Sequence, residues 1–221
     1  AGHDVLIPLS EEQIENVYIP MLETFEKGFN KKNSRFIVFL AGPPGIGKTT
    51  IASILERLTH LNKTSFKLHN LPMDVFHFSN DELNMKMINV GNKKLPLSKR
   101  KGSPESFDLD QLTKKLSHVK SCKRVKWPYY DRNIHDPVPD SLSVINTGVI
   151  LIEGNFLLLN EPGWRDLKTY ADLTILLEGT KQTVKKDIIK RHISGGKSQK
   201  EAIDQYHMVD EPNILRILNN K

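Results

Sequence analysis

Gly42-Pro43-Pro44-Gly45-Ile46-Gly47-Lys48-Thr49 has the spacing G-x-x-x-x-G-K-[ST] and stands directly after the apolar run Phe36-Ile37-Val38-Phe39-Leu40-Ala41. Glycines at these steps let consecutive backbone N–H groups curl around a phosphate, the lysine reaches the outer phosphates, and the hydroxyl after it ligates Mg²⁺. The residues expected to hold a nucleoside triphosphate are therefore Gly42, Pro43, Pro44, Gly45, Ile46, Gly47, Lys48, Thr49 and Thr50, with Thr49 on the metal. The stretch from Thr50 to Leu58 reads as an amphipathic helix whose positive dipole end points at the same anion. An apolar strand before the loop and a helix after it are the context that separates a phosphate cradle from a chance turn.

In a parallel sheet the ligand lies beyond the carboxyl ends of the strands, so acids placed there are the next candidates. Glu153 ends the run Val149-Ile150-Leu151-Ile152 and precedes Gly154, the arrangement of a Walker-B-type acid that holds or orients Mg²⁺ or its water. Asp74 ends a strand expected from about Phe66 to Met73, where a carboxylate facing the γ-phosphate can accept the proton of an attacking hydroxyl. A charged helix expected from Lys181 to Ile193 runs into Ser194-Gly195-Gly196, which gives a hinge. Lys186, Arg191 and Lys197 on that lid can close over the phosphates, Arg191 offsetting transition-state charge and Lys197 contacting the nucleotide.

The elements that must position these groups follow from periodicity. Ile14, Val17, Tyr18, Met21, Leu22, Phe25 and Phe29 recur at helical steps behind Ser10 and Gln13, which have capping-box spacing, so an N-terminal helix precedes the first strand. The stretch from about Asn80 to Arg100 reads as helix and basic loop, about Asp108 to Val119 as helix, and Val125 as the start of a strand leading into Trp127-Pro128. Val149–Ile152 and Leu173–Leu177 are short, branched and apolar, as buried parallel strands are. Strands separated by helices predict an α/β fold, a doubly wound parallel sheet in one domain.

The chain has 221 residues, enough for one α/β domain with a small lid. No stretch approaches the ~20 consecutive apolar residues of a membrane span, and the opening Ala1-Gly2-His3-Asp4 has no charged-then-apolar run, so a cytoplasmic protein is expected. Cys122 is the single cysteine, which excludes an intramolecular disulfide and fits a reducing compartment. The net charge of +6 is compatible with nucleic acid or with small phosphorylated ligands. The clusters Lys93-Lys94 with Lys99-Arg100-Lys101, and Lys120 with Lys123, Arg124 and Lys126, read as solvated faces. With no repeated aromatic-basic pattern and no N-K-x-D guanine signature, a small-molecule acceptor is the expected partner rather than nucleic acid. A P-loop ATPase coupled to nucleic acid or to a protein is the competing class, and a homodimer is left open.

Four segments follow the loop in order: Met73-Asp74-Val75-Phe76-His77, Lys101-Gly102-Ser103-Pro104-Glu105-Ser106-Phe107-Asp108, Pro128-Tyr129-Tyr130-Asp131-Arg132 and Ile152-Glu153-Gly154-Asn155-Phe156. In this the chain resembles the P-loop kinases of the uridine kinase, phosphoribulokinase and pantothenate kinase family, and most of all their short bacterial fructokinase-like or uridine-kinase-like members. The resemblance implies a five-stranded parallel core, ATP with Mg²⁺, and phosphorylation of a hydroxyl on a small molecule. It also implies Asp74 as general base, Glu153 and Thr49 near the metal, and Tyr130, Arg132 and His135 toward the acceptor; His77, between Phe76 and Phe78, is a further candidate contact and equally reads as a packed residue. Two departures stand out. Val75 occupies a position where the family often has glycine, and Gly102 stands where uridine kinases tend to carry an Asp that grips the ribose hydroxyls.

Overall fold

The computed structural model describes residues 7–32, 34–131 and 136–220. A Ser10 capping box opens α1 (Glu11–Gln13), which continues through a π-helical turn at Ile14–Tyr18 into α2 (Ile19–Lys32). Strand β1 (Arg35–Ala41), helix α3 (Lys48–Leu61) and strand β2 (Leu68–Pro72) follow. Then come α4 (Asn80–Met85), β3 (Met87–Val90), β4 (Lys93–Pro96) and α5 (Leu109–Ser121). Strands β5 (Val125–Asp131), β6 (Asp136–Val144), β7 (Gly148–Gly154) and β8 (Leu173–Leu176) precede the last helices. These are α6 (Lys181–Ser194), α7 (Gln199–Gln205) and, after a π-helical turn at Tyr206–Asp210, α8 (Glu211–Asn219).

The central sheet is parallel, in the order β2-β7-β1-β8. Side chains alternate along a strand, so β1 feeds two cores. Ile37, Phe39 and Ala41 meet Leu112, Leu116 and Val119 of α5 on one face. Val38 and Leu40 meet Leu22 and Phe25 of α2 and Ala52 and Leu55 of α3 on the other. This is the doubly wound α/β arrangement, and the strands expected at Val149 and Leu173 are its β7 and β8.

Two expectations need correction. The described sheet has four strands rather than five, because the strand at Val125 pairs antiparallel with β6 instead of joining the ladder. Pro128, Pro137 and Pro139 have no N–H to give to an interior ladder. The indole N–H of Trp127 ties the hairpin to the sheet edge by donating to the Pro72 carbonyl at 3.0 Å. The stretch read as helix and basic loop contains α4 followed by the β3–β4 hairpin, turned at Gly91-Asn92, a two-residue hairpin signal that the lysine content obscured. Val75 sits buried in a 3₁₀ turn at Met73–Phe76, a backbone a β-branched residue accepts. Among the described residues no helix is long and apolar enough to cross a membrane.

The N-terminal helix is load sharing rather than appendage, since Phe25 is fully buried against the sheet. Phe25→Ala should lower the unfolding free energy by about 3–5 kcal/mol. The check is a lower urea midpoint with an unchanged denaturant slope.

Candidate active site

The phosphate loop leaves the end of β1, with Gly45 and Gly47 at φ +80° and +96°, and Lys48 opens α3. Lys48 is 7% exposed, and its ammonium donates to the carbonyls of Gly42 and Pro43, each at 2.9 Å, and to Asn155 Oδ1 at 2.6 Å. Burial pushes its pKa down to about 8, against the opposing pull of Glu153 and Asp74. The Thr49 hydroxyl donates to Glu153 Oε1 at 2.9 Å. Burial raises the Glu153 carboxyl, the neighbouring Asp74 charge adds to the rise, and Lys48 works against it.

Asp74 lies in the 3₁₀ turn just past β2. Its carbonyl meets His77 Nδ1 at 2.8 Å, and the His77 ring lies 3.9 Å from that of Phe107, centroid to centroid. Burial lowers the His77 pKa despite the adjacent Asp74, which keeps the imidazole neutral and its Nδ1–H on that carbonyl. Gly154 explains how two strands bring Glu153 and Asp74 to one place. A Cβ on Gly154 would stand 2.6 Å from Met73 Cβ, so only glycine lets the turn carrying Asp74 close against the end of β7.

Helix α6 packs on the loop through Val184 and Ile188, with Ile46 against them. That contact turns Asp187, Arg191 and His192 toward the loop, and all three line one cavity of about 350 Å³ with Lys48, Thr49 and Asp74. Glu153, His77 and Asn155 share it. From the C-terminal segment Asp210 and Asn213 also enter, Asp210 Oδ2 meeting His192 Nε2 at 2.8 Å and Asn213 Nδ2 donating to the Gly102 carbonyl at 3.0 Å.

Most of the candidates from sequence thus converge: Pro44, Gly45, Gly47, Lys48, Thr49, Thr50, Asp74, His77, Glu153 and Arg191 line one cavity. Gly42 and Pro43 contribute carbonyls to Lys48, and Ile46 packs into the apolar cluster under α6. Lys197 lines a neighbouring cavity and donates to Gln205, which lines both. Lys186 is exposed. Tyr130 is partly buried and approaches the site through His77, 6.5 Å away between ring centroids. Arg132 and His135 lie outside the described residues. Sequence reading missed Asn155, although it sits two residues past Glu153, and missed Asp187 and His192; the segment from Val209 to Asn213 also resembles the family in sequence but carries no assignable chemistry there, and Asp210 and Asn213 enter the site because α6 and α8 fold back.

A parallel sheet carrying a Walker loop on one strand and acids beyond the ends of its neighbours defines a P-loop nucleotide-binding protein. The chain belongs to the phosphoribulokinase/uridine kinase family, whose model matches residues 37–217. It is 36% identical to uncharacterized protein YggC of Escherichia coli K12 over 99% of this chain and 88% of that protein. It is 27% identical to a pantothenate kinase of Levilactobacillus brevis, covering 83% of this chain and 63% of that one. The crystal structure of a "putative fructose transport system kinase" from Silicibacter sp. TM1040 superposes with a TM-score of 0.78 at 28% identity, covering 90% of this chain and 95% of that one. The protein is accordingly a kinase, an ATP-dependent phosphotransferase that works with Mg²⁺ on a small molecule.

The lowered Lys48 pKa has a measurable consequence. An anion beside the ammonium favours its charged form, so nucleotide binding at about pH 9 should take up a proton. Calorimetry in buffers of different ionisation enthalpy should show this as a slope in the observed heat, lost in Lys48→Met. A slope of zero in the wild-type protein would exclude Lys48 as the phosphate's partner.

Proposed function

We propose that the chain is a single kinase domain that transfers the γ-phosphate of ATP to a hydroxyl of a small acceptor such as a sugar, a polyol, a pantothenate-like acid or a nucleoside. The observation that carries the reading is the meeting of Lys48, Thr49, Glu153 and Asp74 in one cavity. Lys48 binds the outer phosphates, giving up the Gly42 and Pro43 carbonyls for a charge that matches its own. Thr49 and Glu153 would hold Mg²⁺ through two hard oxygen donors, which the ion accepts alongside phosphate oxygens and water. When bound there, Mg²⁺ neutralises charge on the phosphates.

Asp74 accepts the proton as the acceptor oxygen bonds to the γ-phosphorus and the bond from that phosphorus to the bridging oxygen breaks, releasing ADP. Arg191, on the lid formed by α6 and the turn after it, stabilises the charge spread over the transferring group.

Asp74→Asn keeps the shape and removes the base. Transfer should fall about a hundredfold or more while Mg²⁺-ATP still binds. Undiminished transfer would return Asp74 to the role of a turn residue.

Nucleosides should be poor acceptors. Gly102 lines the cavity at φ +98°, a backbone that penalises any carboxylate-bearing replacement, so the two ribose hydroxyls lack the acceptor uridine kinases tend to offer. The comparison is kcat/KM for uridine against fructose, pantothenate and glycerate under the same Mg²⁺-ATP. A clear win for uridine would overturn this specificity and leave the kinase standing.

A further inference from the structure

Asn155 is the side chain that holds Lys48. Its Oδ1 accepts from the ammonium at 2.6 Å, and the residue lines the same cavity as Thr49, Glu153 and Asp74. An ammonium has donors only, so the oxygen of the amide must face it and the NH₂ is left for a different partner. Among the described residues no protein atom accepts from that NH₂.

The backbone on either side of Asn155 is pinned. Gly154 lies against Met73, and Phe156 is fully buried with its ring edge-on to Phe107 and Trp164, at 5.6 and 5.5 Å between centroids. A side chain on such a support meets a ligand with little reorganisation. Its chemical type is as telling as its place. A carboxylate here would hold Lys48 and repel a phosphate, whereas an aliphatic side chain would leave a buried ammonium one acceptor short. A carboxamide accepts from a cation at one end and donates to an anion at the other. The desolvation that lowers the Lys48 pKa to about 8 also strengthens a hydrogen bond to a charged group beside it.

We propose that Asn155 is a catalytic residue that touches the transferring group: Oδ1 keeps Lys48 in place while Nδ2 donates to the γ-phosphate, so the amide distinguishes a nucleoside triphosphate from a diphosphate. The proposal rests on the reading of Lys48 as the partner of the outer phosphates.

The test is calorimetric binding of Mg²⁺-adenylyl imidodiphosphate, a non-hydrolysable triphosphate, against Mg²⁺-ADP. The proteins are the wild type, Asn155→Ala, Lys48→Met and the double variant. Asn155→Ala should lower the affinity for the triphosphate relative to ADP by about tenfold or more, the size of a hydrogen bond to a charged group. In the Lys48→Met background the same substitution should still lower that ratio about threefold or more, because the donor is the amide's own. Proton uptake on triphosphate binding at about pH 9 should persist in Asn155→Ala, since Lys48 still meets phosphate there. This readout decides the matter if Lys48→Met binds too weakly to measure. Asn155→Ser, whose hydroxyl is too short to span both partners, should show the same loss and takes the place of Asn155→Ala if thermal melting shows that variant to be unfolded. An unchanged ratio in the Asn155 variants overturns the inference. So does a loss that vanishes in the Lys48→Met background or comes with loss of proton uptake, either of which reduces Asn155 to a positioning residue for Lys48. A Lys48→Met protein that binds both nucleotides as the wild type does would instead strike the reading of Lys48.

Discussion

Lys48 brings a positive charge to a position almost sealed from water, held by two loop carbonyls and one side-chain amide. None of these partners is an anion, and desolvation pushes its pKa down to about 8. The sign of the linkage is unfavourable: the buried charge costs stability below pH 8 and the cost fades as pH rises toward the ordinary value of 10.5. On the proposed reading a triphosphate would make this arrangement favourable, since Lys48 would exchange weak neutral acceptors for charged ones. The rest of the fold is arranged around keeping that lysine dry and in place.

Three long-range contacts do so. Asn155 reaches Lys48 from beyond β7, Glu153 holds the hydroxyl of the next residue, and α6 seats Ile188 and Val184 over the loop. The β7 end therefore serves both charges of the site, one through an amide and one through a carboxylate. Because Gly154 admits Met73, the turn carrying Asp74 is fixed to the same strand end. Burial raises the Glu153 carboxyl and the like charge of Asp74 adds to the rise, which a divalent cation held by Glu153 would offset.

What could be read from the chain divides along the same line. The Walker loop, the acid at the end of β7 and the acid after β2 were legible because each is local, a strand of one period followed by residues that the strand's end must present. Helices α2, α3 and α5 were legible from their apolar spacing and caps. The β3–β4 and β5–β6 hairpins were not, since lysines mask one and prolines the other, and the expectation of a fifth parallel strand failed at the same prolines. The chemistry of Asp210 and Asn213 was hidden for a different reason: their segment resembles the family but nothing local to it marks a role, and they reach the cavity through contacts with His192 and Gly102, distant in sequence.

The C-terminal segment consequently links the two ends of the site. Arg216 of α8 is bidentate to Glu161 and also meets Glu105, which follows the Gly102 turn by three residues. These carboxylates push the Arg216 pKa upward and fix the helix against that turn. One turn earlier Asn213 holds the Gly102 carbonyl, and Asp210 holds His192 next to Arg191 on α6. Two hydrogen bonds, His192–Asp210 and Asn213–Gly102, thus connect α6 to the Gly102 turn through the backbone between Asp210 and Asn213. On the kinase reading proposed above, this segment joins α6, which would be the lid, to the Gly102 turn beside the cavity, with Arg191 lining that cavity while α6 is seated on the loop.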